Sequence, residues 1–143
     1  MPQINVTRVL LGGLAAGVVI NIVESVMNTV VLVQQNETAL AARNLPPMSD
    51  SGIPILVLWG LGVGMVTAWL YAALRAQLGA GARTAVVAGL VVWALAYVAA
   101  GIPQIVMGLF TAKLMFVGFA YSLVEMVLAG LVAAWVYREP AGA

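Results

Sequence analysis

The chain has 143 residues, 64% of them hydrophobic and only 8% charged, with a net charge of +1 and a mean hydropathy of +1.08. Soluble domains carry about 25% charged residues, so this chain has too little charge to cover a surface facing water. Its small net charge and lack of a basic run argue against a nucleic-acid partner. It has no Cys and no His, which excludes disulfides, thiol chemistry and iron–sulfur ligation and removes the commonest zinc ligand and general base.

A bilayer-crossing helix takes about 20 apolar residues, and four segments qualify. The first covers residues 9–33. Arg8 followed by an apolar run imitates a cleaved signal peptide, but the run continues past Glu24, which favours a span. A polar stretch, 34–52, follows and contains Asn44-Leu45-Pro46-Pro47-Met48. It reads most simply as a connection, and otherwise as a segment folded over the mouth of the bundle. The second span covers 53–74, and the arginine-flanked link 75–83 holds Gly79 and Gly81. The third span, 84–110, and the fourth, 114–137, are joined by Thr111-Ala112-Lys113. The apolar residues run continuously instead of alternating, so the spans are predicted as helices and not barrel strands. The expected fold is all-α: a four-transmembrane-helix bundle forming a single membrane domain, 1–143, in the lipid bilayer.

Arg8, Arg75, Arg83 and Arg138 fall on one side of such a bundle, and Arg43 and Lys113 on the other. The excess of positive charge predicts cytoplasmic N- and C-termini, as for a multi-pass protein of a bacterial inner membrane. Trp69, Tyr71, Trp135 and Tyr137 lie just before Arg75 and Arg138, where an aromatic interface belt belongs. They also expose a repeat. The segment 64–71, Gly-Met-Val-Thr-Ala-Trp-Leu-Tyr, matches 130–137, Gly-Leu-Val-Ala-Ala-Trp-Val-Tyr. More weakly, Ile22 to Asn28 aligns with Ile102 to Gly108, so that Glu24 corresponds to Gln104. The pattern predicts a tandem duplication of a two-helix hairpin, 9–74 and 84–137, with both copies in the same orientation.

Ionisable residues at membrane depth are costly and mark candidate sites. At 1.5 Å per residue, Glu24 and Glu125 lie about 14 and about 17 Å from the outer ends of their helices. Asn21, Glu24, Ser25 and Asn28 share a face of the first helix. Gly60, Gly64, Thr67 and Tyr71 share one on the second, Trp93, Tyr97, Gly101, Gln104 and Gly108 one on the third, and Gly118, Ser122, Glu125 and Ala129 one on the fourth. These faces are predicted to point inward, because lipid cannot satisfy them. The candidate ion- or solute-binding residues are Glu24, Glu125, Asn21, Asn28, Gln104, Tyr97 and Ser122. A carboxyl group in low dielectric resists ionisation, a property suited to proton-coupled transport. The bland alternative is polar glue between helices, at about 0.6 kcal/mol per contact.

Pro103 removes a backbone donor from the third span and disturbs the Ala99 carbonyl, which predicts a kink. Gly13/Gly17 and Gly60/Gly64 are small-xxx-small pairs for close helix approach. Met27 and Met107 read as core filling, with Cu(I) ligation the weak alternative. No phosphate-binding loop, nucleophile–base pair or dinucleotide fingerprint occurs, so neither a cofactor nor enzymatic activity is expected.

Asn21-Ile-Val-Glu24, Leu45-Pro46-Pro47 and Trp69-Leu-Tyr71-Ala-Ala-Leu-Arg75 resemble stretches of small bacterial four-span integral membrane proteins. That resemblance implies the same fold over most of the chain but carries no activity. The leading expectation is a small transporter or channel for a proton, cation or small solute, as a homo-oligomer or part of a larger membrane complex. The other is a non-catalytic accessory or assembly subunit of such a complex.

Overall fold

The structure, a computed structural model, describes residues 4–47 and 49–138. Met48 of the first loop and the chain ends, 1–3 and 139–143, lie outside the described residues. Among the described residues, four helices are long and apolar enough to cross a membrane: Val6–Val31, Asp50–Leu78, Ala82–Val106 and Ala112–Val136. They are called here the first to fourth spans.

Local chemistry sets their ends. Asn5 caps the first span by accepting from the Arg8 N–H at 3.1 Å, and Thr111 caps the fourth by accepting from the Leu114 N–H at 3.3 Å. Gly79 (φ 84°) ends the second span and Gly81 (φ 137°) opens the third, in conformations that disfavour a Cβ. The third span closes on a Schellman motif. Gly108 takes φ 67°, the Leu109 N–H bonds the Gln104 carbonyl at 2.9 Å, and the Gly108 N–H bonds the Ile105 carbonyl at 2.9 Å.

The bundle has two unlike ends. One, the arginine end, gathers the start of the first and third spans and the finish of the second and fourth. There the Asn5 N–H donates to the Tyr137 hydroxyl at 3.0 Å, and the Gly81 N–H to the Tyr71 hydroxyl at 3.3 Å. Most buried positions lie toward this end: Val9–Ile20 on the first span, Gly60–Ala72 on the second, Thr84–Val92 on the third and Ser122–Ala133 on the fourth. Small residues explain it, since glycine and alanine let backbones touch. Gly64 meets the backbone of Gly13 and Gly17, and Gly130 meets that of Ala85. The partners of the sequence's small-xxx-small pairs are therefore each other, within one chain.

Tyr137, expected in an interface belt, is instead buried, and so is Tyr71, which the helical period also places on the inward face of the second span; their rings meet edge to face with centroids 6.0 Å apart. Each has a polar partner at the turn it supports, which makes burial tolerable. Trp69 and Trp135 do face outward, as an interface belt requires. The Arg75 guanidinium lies 5.2 Å from the centre of the Tyr137 ring.

The other end, the loop end, is looser. Both odd-numbered spans widen there into π-helical segments, Met27–Val31 and Ala94–Ala99, neither of which holds a buried residue. The disturbance expected from Pro103 takes this form: the ladder widens one turn before the ring, so the helix continues through Ala100–Val106. The first loop is more than a connection. A further helix, Val33–Ala41, takes in its first residues, with Gln34, Gln35, Ala39, Leu40 and Ala41 as good helix formers. Arg43, just past that helix, donates to the Gly108 carbonyl at the end of the third span, so the first loop lies across the loop end of the bundle. Met107, read as core filling, is 71% exposed because it sits at the frayed finish of the third span.

Candidate functional site

The fourth span organises the polar centre. Tyr121 and Glu125 stand one helical turn apart and so share a face. Tyr121 reaches the first span, where its hydroxyl donates to Glu24 Oε2 at 3.2 Å. Glu125 reaches the third, where Oε1 accepts from the Tyr97 hydroxyl at 2.6 Å. Each acid is thus held by a tyrosine of another span.

Their surroundings differ. Glu24 Oε2 also accepts from Asn28 Nδ2 at 2.7 Å, and that amide bonds the Glu24 carbonyl at 2.9 Å as well. Asn36, on the loop helix, donates to Asn28 Oδ1 at 3.0 Å. A hydrogen-bonded line therefore runs from the first loop to Glu24. Glu125 has no such support. Its side chain is 0% exposed, and Oε2 has no hydrogen-bond partner among the described residues. An unpaired carboxylate oxygen in a buried site is expensive, so this position asks for a proton, a water or a cation.

On the loop side of this pair lies a cavity of about 210 Å³. Tyr97 and Tyr121 line it, together with Phe110, Phe119, Asn28 and Gln104. Neither glutamate lines it directly; the tyrosines that bond them do. The cavity thus meets the acids through two hydroxyl groups. Asn36 lines it too, so the loop helix forms part of its wall.

Of the residues singled out from sequence, Glu24, Glu125, Tyr97 and Asn28 come together at this centre, and Gln104 lines the cavity beside it. Gln104 turns its amide to the Ala100 carbonyl at 3.3 Å. Ser122 stands behind the centre. It is fully buried, and it accepts from Trp93 Nε1 at 3.2 Å while donating to the Phe119 carbonyl at 3.2 Å. Asn21 stands apart from the acids. Its amide bridges the Gly17 carbonyl at 2.8 Å and the Val57 carbonyl at 3.2 Å, tying the first span to the second, with Gly60 making room for it. Ser25 and Asn28, both expected inward, are exposed; Asn28 still bonds Glu24, whereas Ser25 faces the groove beside the second span. The second span contributes no hydrogen bond to the acids among the described residues.

Sequence reasoning missed Tyr121 and Asn36. Tyr121 carried a signal, since a tyrosine four residues before a buried acid on one helix faces the same way. Asn36 carried none, because its register to the first span depends on the π-helical segment between them. Compared with protein-family models, curated proteins and solved structures, the chain matches none of them.

Proposed function

We propose that the protein is a small integral membrane transporter or channel for a proton, cation or small solute, with Glu24 and Glu125 as its binding centre. The observation that carries this reading is the fully buried Glu125, one oxygen unpartnered among the described residues, joined through Tyr97 to a cavity. Helix-to-helix glue would satisfy its polar atoms and leave no cavity beside them. The positive-inside rule puts the four-arginine end, and both termini, in the cytoplasm. The cavity then faces outward, and the packed glycine–alanine end closes the inner side. A bacterial inner membrane suits this topology. A duplicated hairpin also fits: Gly64 and Gly130, matched in the sequence repeat, each pack against the preceding span, and the matched Tyr71 and Tyr137 meet.

The test is flux. Purified protein in vesicles with a trapped pH-sensitive dye should dissipate an imposed pH gradient faster than empty vesicles. Glu125→Gln should slow this at least about tenfold, the scale of losing one charged contact of about 1.4 kcal/mol or more. Flux indistinguishable from empty vesicles, for protons and for labelled organic and inorganic cations and small neutral solutes offered in their place, overturns the reading.

One feature favours the accessory role as a second reading. Asn21 and Ser25 line a groove between the first and second spans, with Val18, Ile22 and Leu61 around them. Polar groups facing lipid invite a partner helix, from a second copy of this chain or from a larger complex. Substitutions that leave flux unchanged but weaken co-purification of a partner would favour that role.

A further inference from the structure

The lining of the cavity narrows the class of substrate, given the transport reading on which this inference rests. Four aromatic rings, those of Tyr97, Phe110, Phe119 and Tyr121, line it, and no Lys or Arg among the described residues does. Two carboxylates stand one hydrogen bond behind that lining. Their side-chain partners among the described residues are hydroxyl and amide groups, which carry no charge to neutralise them.

A bare metal ion fits this lining poorly. Hard cations need about six oxygens in direct contact, whereas these carboxylates lie behind the tyrosines. Among the described residues no group of three acidic or other metal-ligating side chains occurs. A neutral solute fits poorly too, since it gains nothing from the two acids behind the rings. An organic ammonium ion meets both conditions. Its charge is spread over methyl groups and weakly hydrated, so rings can replace its water by cation–π contact, while the two acids supply long-range attraction in a low dielectric. At about 210 Å³ the cavity holds several water volumes of about 30 Å³ each, enough for a cation the size of tetramethylammonium or choline.

We propose that the cavity binds a small quaternary or methylated ammonium cation, held among Tyr97, Phe110, Phe119 and Tyr121 and attracted by Glu24 and Glu125. The experiment is calorimetric titration of the purified full chain in detergent with choline, with its uncharged isostere 3,3-dimethylbutan-1-ol, and with potassium chloride. Choline is expected to bind at least about tenfold more tightly than the isostere, the charge being worth about 1.4 kcal/mol or more. Phe110→Leu should weaken choline by about threefold to tenfold, the range for one exposed to partly buried ring. Glu24→Gln should weaken it without changing the weak affinity for the isostere. Equal affinity for choline and isostere overturns the proposal, and so does saturable potassium binding in its place. The contrast among the three ligands uses the unaltered protein, so it does not depend on any variant folding. Choline binding with neither proton flux nor uptake of labelled choline into vesicles keeps this site and removes the transport reading. Proton flux without choline binding overturns this site and keeps the transport reading.

Discussion

The arginine end and the loop end of the bundle solve different problems with the same four helices. At the arginine end Gly13, Gly17, Gly64, Ala85 and Gly130 bring backbones into contact, and small residues are buried there beside a few larger ones such as Val9, Val63 and two tyrosines. At the loop end the rings of Phe110, Phe119, Tyr97 and Tyr121 stand around a cavity, and two spans loosen into π-helical turns. Close packing at one end fixes the helices relative to one another. That frees the other end to hold space and costly polar groups at bilayer depth. The acids lie at the junction, where packed and open halves meet.

If the packed end is the foundation, the largest loss should come from disturbing it. A Cβ on Gly130 would stand 2.5 Å from the Ala85 carbonyl oxygen, backbone against backbone, so the fourth span must shift. Gly130→Ala is expected to cost about 3 kcal/mol, the upper part of the overpacking range. A Cβ on Gly62, on the outward face of the second span, meets nothing within 4 Å. Gly62→Ala should be neutral or stabilise by up to about 1 kcal/mol through helix propensity. Thermal unfolding in detergent measures both, and equal effects would erase the distinction between the packed interface and the lipid-facing surface.

The next two effects separate the two acids. Tyr97→Phe removes the one hydrogen bond to the buried Glu125 carboxyl among the described residues and should cost about 2 kcal/mol, the penalty for stranding a buried acceptor. Tyr121→Phe should cost about 1 kcal/mol, because Asn28 still donates to the same oxygen of Glu24. The order of the two unfolding midpoints is the readout. A larger loss at Tyr121 would mean that Glu24 is the more dependent acid.

Much of this was readable before the structure. Four spans follow from the length of the apolar runs, and Glu24 and Glu125 stood out because charge is rare at that depth. The helical period placed Tyr97, Gln104 and Ser122 on inward faces, where they lie. The failures share a cause: each depended on what another helix presents. Asn21 and Glu24 lie on one face by period alone, yet the glycine-lined second span takes Asn21 and the tyrosine of the fourth takes Glu24. Tyr137 has the composition of an interface belt, and its burial depends on the Tyr71 ring and on the start of the first span at Asn5. The loop helix has ordinary helix-forming residues, but its position over the cavity rests on Asn36 and Arg43, whose partners lie on the first span and at the end of the third.

The smallest effect concerns access to the open half. The chain has no Cys, so an introduced one is unique. Ala96→Cys, in the cavity wall, should react with a water-soluble maleimide, whereas Ala88→Cys, 0% exposed in the packed half, should resist it. Asn36→Ala removes one exposed hydrogen bond holding the loop helix to Asn28. That bond is worth about 0.5 kcal/mol, so the variant should leave the unfolding midpoint nearly unchanged. If the loop helix must lift for entry, that loss of about 0.5 kcal/mol raises the open population, and adding Asn36→Ala to Ala96→Cys should speed labelling about twofold. An unchanged labelling rate would mean that reagents reach the cavity without moving the loop helix. The wall formed by Asn36 would then be a fixed part of the site and not a cover over it.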